Sequence, residues 1–297
     1  MFVSAARVVA VGLCTIDLVQ RVPELPWGGQ KLQSSGVEVV AGGPAANAAV
    51  TAAALGRADL VTVLGGHPLA GIAREDLTAH RVRVFDTLPN RSAAPALSAV
   101  TVRERDGERS VVSYNAADVP ADLPMPSWPA LLAAAGALLV DGHHPRLAVA
   151  AARAARGRRV PVVLDAGSAK PVFEELLPLV DVCACAAGFR LGRNGSRATE
   201  RAVHELGVPV VIRTNGAGPV RWSCPDGAGT VDPPTVVAAD TLGAGDAWHG
   251  ALAHRIAALG RVPAAADLPE LVNFANRVAA ARVARVGARS WLADLRS

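Results

Sequence analysis

Asp240-Thr241-Leu242-Gly243-Ala244-Gly245-Asp246 runs directly into an alanine-rich stretch, 247–259, whose apolar residues recur at helical spacing. Glycines just before a helix let the backbone approach a ligand closely, because no Cβ stands in the way. The first N–H groups of a helix have no intrahelical partners and lie at the positive end of its dipole. Such a turn is an anion site, and phosphate is the usual anion. An ordinary helix start needs no carboxylate there. Asp246, in the first turn, therefore reads as a general base that would take the proton from a hydroxyl attacking a γ-phosphoryl group. The plainer alternative makes Asp240 or Asp246 an N-cap and the glycines a tight turn.

Working outward from this turn, apolar runs and helical patterns alternate along the chain. The run 8–12 is too short for a helix and suits a strand buried on both faces. The spacing predicts helices over 45–55 (stopped by Gly56) and 69–80, with strands at 60–64 and 82–85. Further strands are expected at 137–141, 160–165, 181–184 and 208–213, with helices at 146–155, 171–177 and 198–206. A short edge strand at 219–223 and a last helix over 271–285 complete the pattern. In 247–259, Trp248, Leu252, Ile256 and Leu259 form one apolar stripe, while Gly250, Ala253 and Ala257 allow close packing. Repeated βα units predict an α/β fold with a doubly wound, mostly parallel sheet and helices on both faces. Two segments do not fit that sheet. One, 14–40, is broken by Pro23, Pro26, Gly28, Gly29 and Gly36; the other, 96–115, holds two β-rich runs around Asp106-Gly107, a hairpin signal. Together they are expected to form a small β-lid on a single domain spanning 1–297.

Composition excludes several classes. A chain of 297 residues with 51% hydrophobic content is a globule and not a disordered segment. Net charge is +4, lysine occurs only at 31 and 170, and the arginines are scattered, so no nucleic-acid surface is implied. Cys14, Cys183, Cys185 and Cys224 form no C-x-x-C pair, which removes zinc and redox motifs and favours free thiols in a reducing cytoplasm. No apolar run reaches membrane-spanning length.

Ligands of such sheets sit beyond the carboxyl ends of the strands, where Asp17, the segment Gly42-Gly43-Pro44-Ala45-Ala46-Asn47, Asp141, His143, His144 and Asp165 are expected. Asp17 and Asn47 suit a polyol, since a carboxylate accepts hydroxyl hydrogen bonds and an amide both donates and accepts. Gly42 and Gly43 would bring the backbone close to it. Read without further context, Asp17 is a solvated turn residue and Asn47 a helix cap. The segment Ala41-Gly42-Gly43-Pro44-Ala45-Ala46-Asn47-Ala48-Ala49, followed by Gly56 and Gly66, resembles the first signature of the ribokinase (PfkB) family of sugar kinases. The string 240–253 resembles the second, and with Gly12 to Asp17 the likeness runs nearly end to end.

What the resemblance implies is a ribokinase-like fold using ATP and Mg²⁺ to phosphorylate a sugar hydroxyl. Asp17, Gly42, Gly43 and Asn47 would hold the sugar, with Asn115 and His143 as further substrate contacts. Gly243, Ala244 and Gly245 would form the anion hole around the base Asp246. Thr214, Gly216 and Gly218 would line the nucleotide loop. Asn276 resembles a position near the adenine pocket, although an Asn on a mostly apolar helix needs a partner in any case. Trp248-His249-Gly250-Ala251 and Gly42-Gly43-Pro44-Ala45-Ala46 look most like the ketohexokinase and sulfofructose kinase branch, which implies a ketose phosphorylated on a terminal hydroxyl. No arginine is visible to grip a sulfonate.

The chain departs from the family at two places. The Asn-x-x-Glu motif that organises Mg²⁺ falls by register on Ala186-Ala187-Gly188-Phe189, which has neither the amide nor the carboxylate. In Thr214-Asn215-Gly216-Ala217-Gly218-Pro219 the second loop glycine is shifted or replaced by proline. Asp165 is the carboxylate left to help with the metal, and a monovalent cation, K⁺, would sit near Asp240 and Gly287 if one is used. The partners expected are a small sugar, no nucleic acid, no membrane, and a second copy docked through the β-lid. A nucleoside kinase would want lid aromatics, and the chain has one tyrosine, Tyr114. A sugar-binding regulator with feeble catalysis is the reading suggested by the missing Asn-x-x-Glu.

Overall fold

Val8, Val9, Ala10 and Val11 on β1 (Arg7–Val11) are wholly buried, as a strand with helices on both faces requires. The computed structural model describes residues 6–115, 119–120, 122–192 and 196–295. After β1 come β2 (Thr15–Val22), β3 (Gly36–Gly42), α1 (Pro44–Leu55), β4 (Arg57–Thr62), α2 (Pro68–Ala79) and β5 (Val82–Asp86). Next are β6 (Ala96–Arg103), β7 (Arg109–Tyr114), α3 (Trp128–Leu132), β8 (Ala137–Val140), α4 (Pro145–Gly157) and β9 (Val162–Ala166). Then follow α5 (Phe173–Leu176), β10 (Val182–Cys185), α6 (Ser196–Glu205), β11 (Val210–Asn215), β12 (Gly218–Cys224) and β13 (Gly227–Val231). The chain closes with α7 (Ala244–Leu259), α8 (Leu268–Val283) and a 3₁₀ segment, Ser290–Leu295.

The main sheet runs β13-β12-β11-β10-β9-β8-β1-β4-β5, parallel except for the antiparallel β11-β12-β13 edge. From β1 the chain moves to β4 and β5 on one side, then returns to β8 and β9 on the other. The order therefore reverses between β1 and β8, the place where such sheets open a ligand crevice. One apolar core joins the sheet to α1, α2, α7 and α8, and the other joins it to α3, α4, α5 and α6. The alanine-rich face of α1 lies so close to α7 that a Cβ on Gly250 would stand 2.3 Å from the Ala48 carbonyl oxygen.

The segments that did not fit the main sheet form a second sheet, ordered β3-β2-β6-β7. Asp106-Gly107 turns β6 into the antiparallel β7, and β2 pairs in parallel with β6. Its inner face carries its own small core of Val19, Val100 and Val102, against which Leu242 packs. Three elements lay outside the sequence expectations. These are α3, the glycine-rich β13 (Gly-Ala-Gly-Thr-Val, weak in strand-forming residues) and the terminal 3₁₀ segment. α7 begins at Ala244, earlier than the apolar stripe indicates, because Gly243 at φ +71° makes the turn and the Gly243 carbonyl accepts from Ala247 N–H at 2.9 Å.

Candidate active site

The crevice between β1 and β8 is bracketed by Asp141. Its carboxylate accepts from the backbone N–H groups of Leu13 (2.9 Å), Ala45 (3.3 Å) and His143 (2.9 Å), tying the loops after β1 and β8 to the first turn of α1. Asp141 is thus consumed as a strut. The paired glycines before α1 have intramolecular reasons beyond any ligand. A Cβ on Gly42 would fall 2.0 Å from the Asp17 carboxylate, and one on Gly43 would fall 2.6 Å from the Leu13 carbonyl oxygen. Gly43 also holds φ at +89°, a conformation that favours glycine.

This bracket brings the two signature segments together. Asn47 Nδ2 on α1 donates to Asp246 Oδ2 on α7 at 2.8 Å. Asp17 on β2 accepts from Thr15 Oγ1 at 2.6 Å and lines the same cleft as Asn47 and Gly243. Burial pushes the Asp17 carboxyl above its ordinary value, against hydrogen bonds from Thr15 and Ser98. Burial likewise raises Asp246, against the Asn47 hydrogen bond and the His249 charge, so its carboxylate is a better base than one in water. His143 is half-buried, lies within the field of Asp246, and is held below its usual value by burial. Asn115 follows the last residue of β7, exposed, at the end of the small sheet that carries Thr15 and Gly42.

The residues expected to line a nucleotide loop lie further along the sheet. Thr214 is the penultimate residue of β11, with Oγ1 donating to the Cys185 carbonyl at 3.4 Å, and Gly216 (φ +57°) lies in the tight turn to Gly218 on β12. They occupy the carboxyl edge of the main sheet, three strands beyond β8. Asn276 is buried in the α7–α8 interface, where its Oδ1 accepts from Trp248 Nε1 at 2.8 Å. A core indole thus satisfies Oδ1, while the buried Nδ2 has no hydrogen-bond partner among the described residues. Phe189, at the place of the family's glutamate, is core: it is 1% exposed and packs on Phe173. The carbonyls of Ala186 and Phe189 accept from Arg213 Nη1 at 2.9 and 3.2 Å.

Neither candidate ion finds a ready-made cage. Among the described residues no group of three or more His, Cys, Asp or Glu side chains could hold a metal. Asp165 is nearly buried beside His249 Nδ1 (3.4 Å), and burial raises its carboxyl to about 6. It can offer one carboxylate at most. Mg²⁺ is commonly held in this way, by one or two carboxylates together with substrate phosphates and water. The K⁺ position does not fit. Asp240 Oδ2 is met by Arg21 Nη2 at 2.7 Å, Arg282 Nη2 at 3.5 Å and the Gly287 N–H at 3.3 Å, while Oδ1 accepts from Leu242 N–H at 2.9 Å. Burial works to raise the Asp240 carboxyl, but the two guanidinium groups outweigh it and hold the group below its ordinary value.

Sequence reading missed the arginines that build this region. Arg21 reaches Asp240, Arg109 Nη1 donates to Thr241 Oγ1 at 2.9 Å, and Arg289 meets Asn47. Each partner is distant in sequence, and in an arginine-rich chain no local pattern distinguishes these three from the rest.

A parallel sheet with a crevice at its reversal point, a glycine turn opening α7 and a carboxylate in its first turn define an α/β protein of the ribokinase-like type. A profile described as pfkB family carbohydrate kinase matches residues 5–294. The chain belongs to the pfkB family of carbohydrate kinases. It is similar to a ribokinase of Mus musculus, 28% identical over 309 residues that cover 96% of this chain and 91% of the relative. It is also 26% identical over 269 residues to a bifunctional ribokinase/ribose-5-phosphate isomerase A of Fructilactobacillus sanfranciscensis. That match covers 84% of this chain, which spans about half, 48%, of that relative's length. The fold is that of the Thermotoga maritima ribokinase structure, with TM-score 0.77, 21% identity and coverage of 98% of this chain and 99% of that one.

Proposed function

We propose that this chain transfers the γ-phosphoryl group of ATP to a terminal hydroxyl of a ketose or ketose-like sugar. The observation that supports the reading is the 2.8 Å hydrogen bond from Asn47 to Asp246, which joins the residue proposed to bind the sugar to the one proposed as base. Asp17 and Asn47 hold the sugar, and the hydroxyl to be phosphorylated lies against Asp246. As its oxygen bonds to the γ-phosphorus, the bond to the bridging oxygen of the leaving ADP breaks and the hydroxyl proton passes to the Asp246 carboxylate. The backbone N–H groups of the 243–245 turn stabilise the charge on the transferring group. Mg²⁺ bound with ATP would supply charge neutralisation for the phosphates, and Asp165 is the carboxylate that would help to hold it. Ribose is the second reading, favoured by the relatives named as ribokinases.

A coupled ADP-release assay over ketoses, aldopentoses, polyols and nucleosides tests both readings. Turnover with a ketose and little with ribose supports the first, the reverse supports the second, and activity confined to nucleosides overturns both.

We also infer a homodimer through the small sheet. Val39, Leu18, Ala99 and Val112 form one cross-strand row on its outer face, and Val112 is 74% exposed. An open apolar sheet face of this kind marks an association surface. Light scattering should give a dimer mass for the wild type and a monomer mass for Val112→Asp; a monomeric wild type overturns the inference.

A further inference from the structure

The amide of Asn47 can serve Asp246 only in one orientation. Its Nδ2 must face the carboxylate, because Oδ1 in that place would set oxygen against oxygen. What fixes the choice is the partner on the other side. Arg289, which precedes the terminal 3₁₀ segment, donates from Nη1 to Asn47 Oδ1 at 3.0 Å. A guanidinium can only donate, so it admits the amide oxygen and refuses the amide nitrogen.

Arg289 is itself held at three further points. Its Nη2 donates to the Ala41 carbonyl at 2.6 Å and to Asp76 Oδ2 at 2.9 Å, and its Nε donates to Asp76 Oδ2 at 3.3 Å. Asp76, on α2, also accepts from the Ala41 N–H at 3.1 Å, so the pair clamps the strand that leads into Gly42 and Gly43. Burial acts to raise the Asp76 carboxyl, but His80 and Arg289 outweigh it and hold it at about 2. Asp76 is therefore ionised at neutral pH. Arg289 is 14% exposed and Asp76 12%, which keeps water from competing strongly for either.

We propose that Arg289, anchored by Asp76, is a positioning residue for the phosphoryl-transfer base: it sets the Asn47 amide so that Nδ2 donates to Asp246. This rests on the kinase reading above and adds to it a third sequence segment, far from both family signatures. Arg289 makes no contact with Asp246 and acts through Asn47. The charged and titratable groups around Asp246 are His249 on its own helix, Asp141 and His143 after β8, Asp165 on β9, Asp17 on β2 and Arg109 on β7. None of them bonds to Asn47, so losing Arg289 should reach Asp246 through the amide.

The test is a ¹³C-carboxyl NMR titration of aspartate-labelled full-length protein, with Asp246→Asn identifying the resonance. It compares wild type, Arg289→Met, Arg289→Lys, Asp76→Asn, Asn47→Ala and the Asn47→Ala/Arg289→Met double variant. Steady-state kinetics are run on the same samples. The Asp246 midpoint should rise in Arg289→Met, because the carboxylate loses an oriented donor, and return part-way in Arg289→Lys. kcat should fall about 10- to 100-fold, the usual cost of losing a partner that orients a reacting group, and fall by more than KM rises. In the Asn47→Ala background the Arg289→Met change should add no shift, as expected for residues that act as one unit. An unmoved midpoint in Arg289→Met, or the same shift with and without Asn47, overturns the proposal. Should Arg289→Met not fold, Arg289→Lys and Asp76→Asn carry the same comparison. A wild type that turns over no sugar removes the kinase reading and leaves the titration comparison intact; an unmoved midpoint in an active enzyme removes only the role of Arg289.

Discussion

Arg21 Nη2 and Asp240 Oδ2 stand 2.7 Å apart, joining the small sheet to the turn that opens α7. The Asp240 side chain is fully buried, and its charge is met by Arg21 on one side and Arg282 on the other. A monovalent cation would have to displace a guanidinium to reach it. The rate of the wild-type enzyme should therefore be the same in K⁺, Na⁺ and a bulky organic cation at constant ionic strength. A severalfold activation by K⁺ alone would show that the pair opens during turnover.

Asp246→Asn keeps the shape of the side chain and removes its basicity. kcat should fall by about 10²–10⁴, the share general-base catalysis commonly contributes, while sugar-induced thermal stabilisation persists. In the wild type, kcat should decline as pH falls through a midpoint above the ordinary carboxylate value of 3.8, because burial raises this group. A pH-independent kcat down to that value would remove Asp246 from the role.

Asp165 gives a stability prediction whose sign follows from its raised value. Its carboxyl sits at about 6 in the folded chain against 3.8 unfolded, so ionisation opposes folding. Below 3.8 the group is neutral in both states. Stability is then lost as pH climbs from 3.8 to about 6, reaching a penalty of about 3 kcal/mol that stays constant above. Asp165→Asn should flatten this part of the denaturant-midpoint profile and gain most over wild type above pH 6. An equal difference at pH 4.5 and pH 7.5 would place the effect in packing and not in charge.

Gly250 tests the contact between α1 and α7. Alanine is favoured over glycine within a helix by about 1 kcal/mol, but here its Cβ would lie 2.3 Å from the Ala48 carbonyl oxygen and 2.8 Å from the Thr51 Cβ. Both obstacles are held in place, so Gly250→Ala should cost about 1–3 kcal/mol, the range for overpacking, read from urea denaturation. A stabilised variant would mean that the helices separate at little cost.

The α/β order was legible because each buried strand announces itself as a short apolar run and each helix as a stripe. Asn47 and Asp246 could be placed together because both lie in local strings whose spacing carries meaning. Arg21 and Arg289 could not, since each finds its anionic or amide partner more than two hundred residues away and looks like any other arginine. Asn276 is a different case: a polar residue on an apolar helix draws attention, and the indole of Trp248 accounts for its Oδ1 but not for its buried Nδ2. The paired glycines 42 and 43 were located correctly, but the Asp17 carboxylate and the Leu13 carbonyl that exclude a Cβ there become visible only in three dimensions.

Leu242 lies against Val19, Val100 and Val102, so the small sheet completes its own core with a side chain from the anion turn. Lifting the sheet would strip Leu242 of its apolar cover and unseat the residue next to Gly243. Any motion of the sheet would therefore be felt at the turn that opens α7, and the turn would keep its shape only while the sheet stays seated.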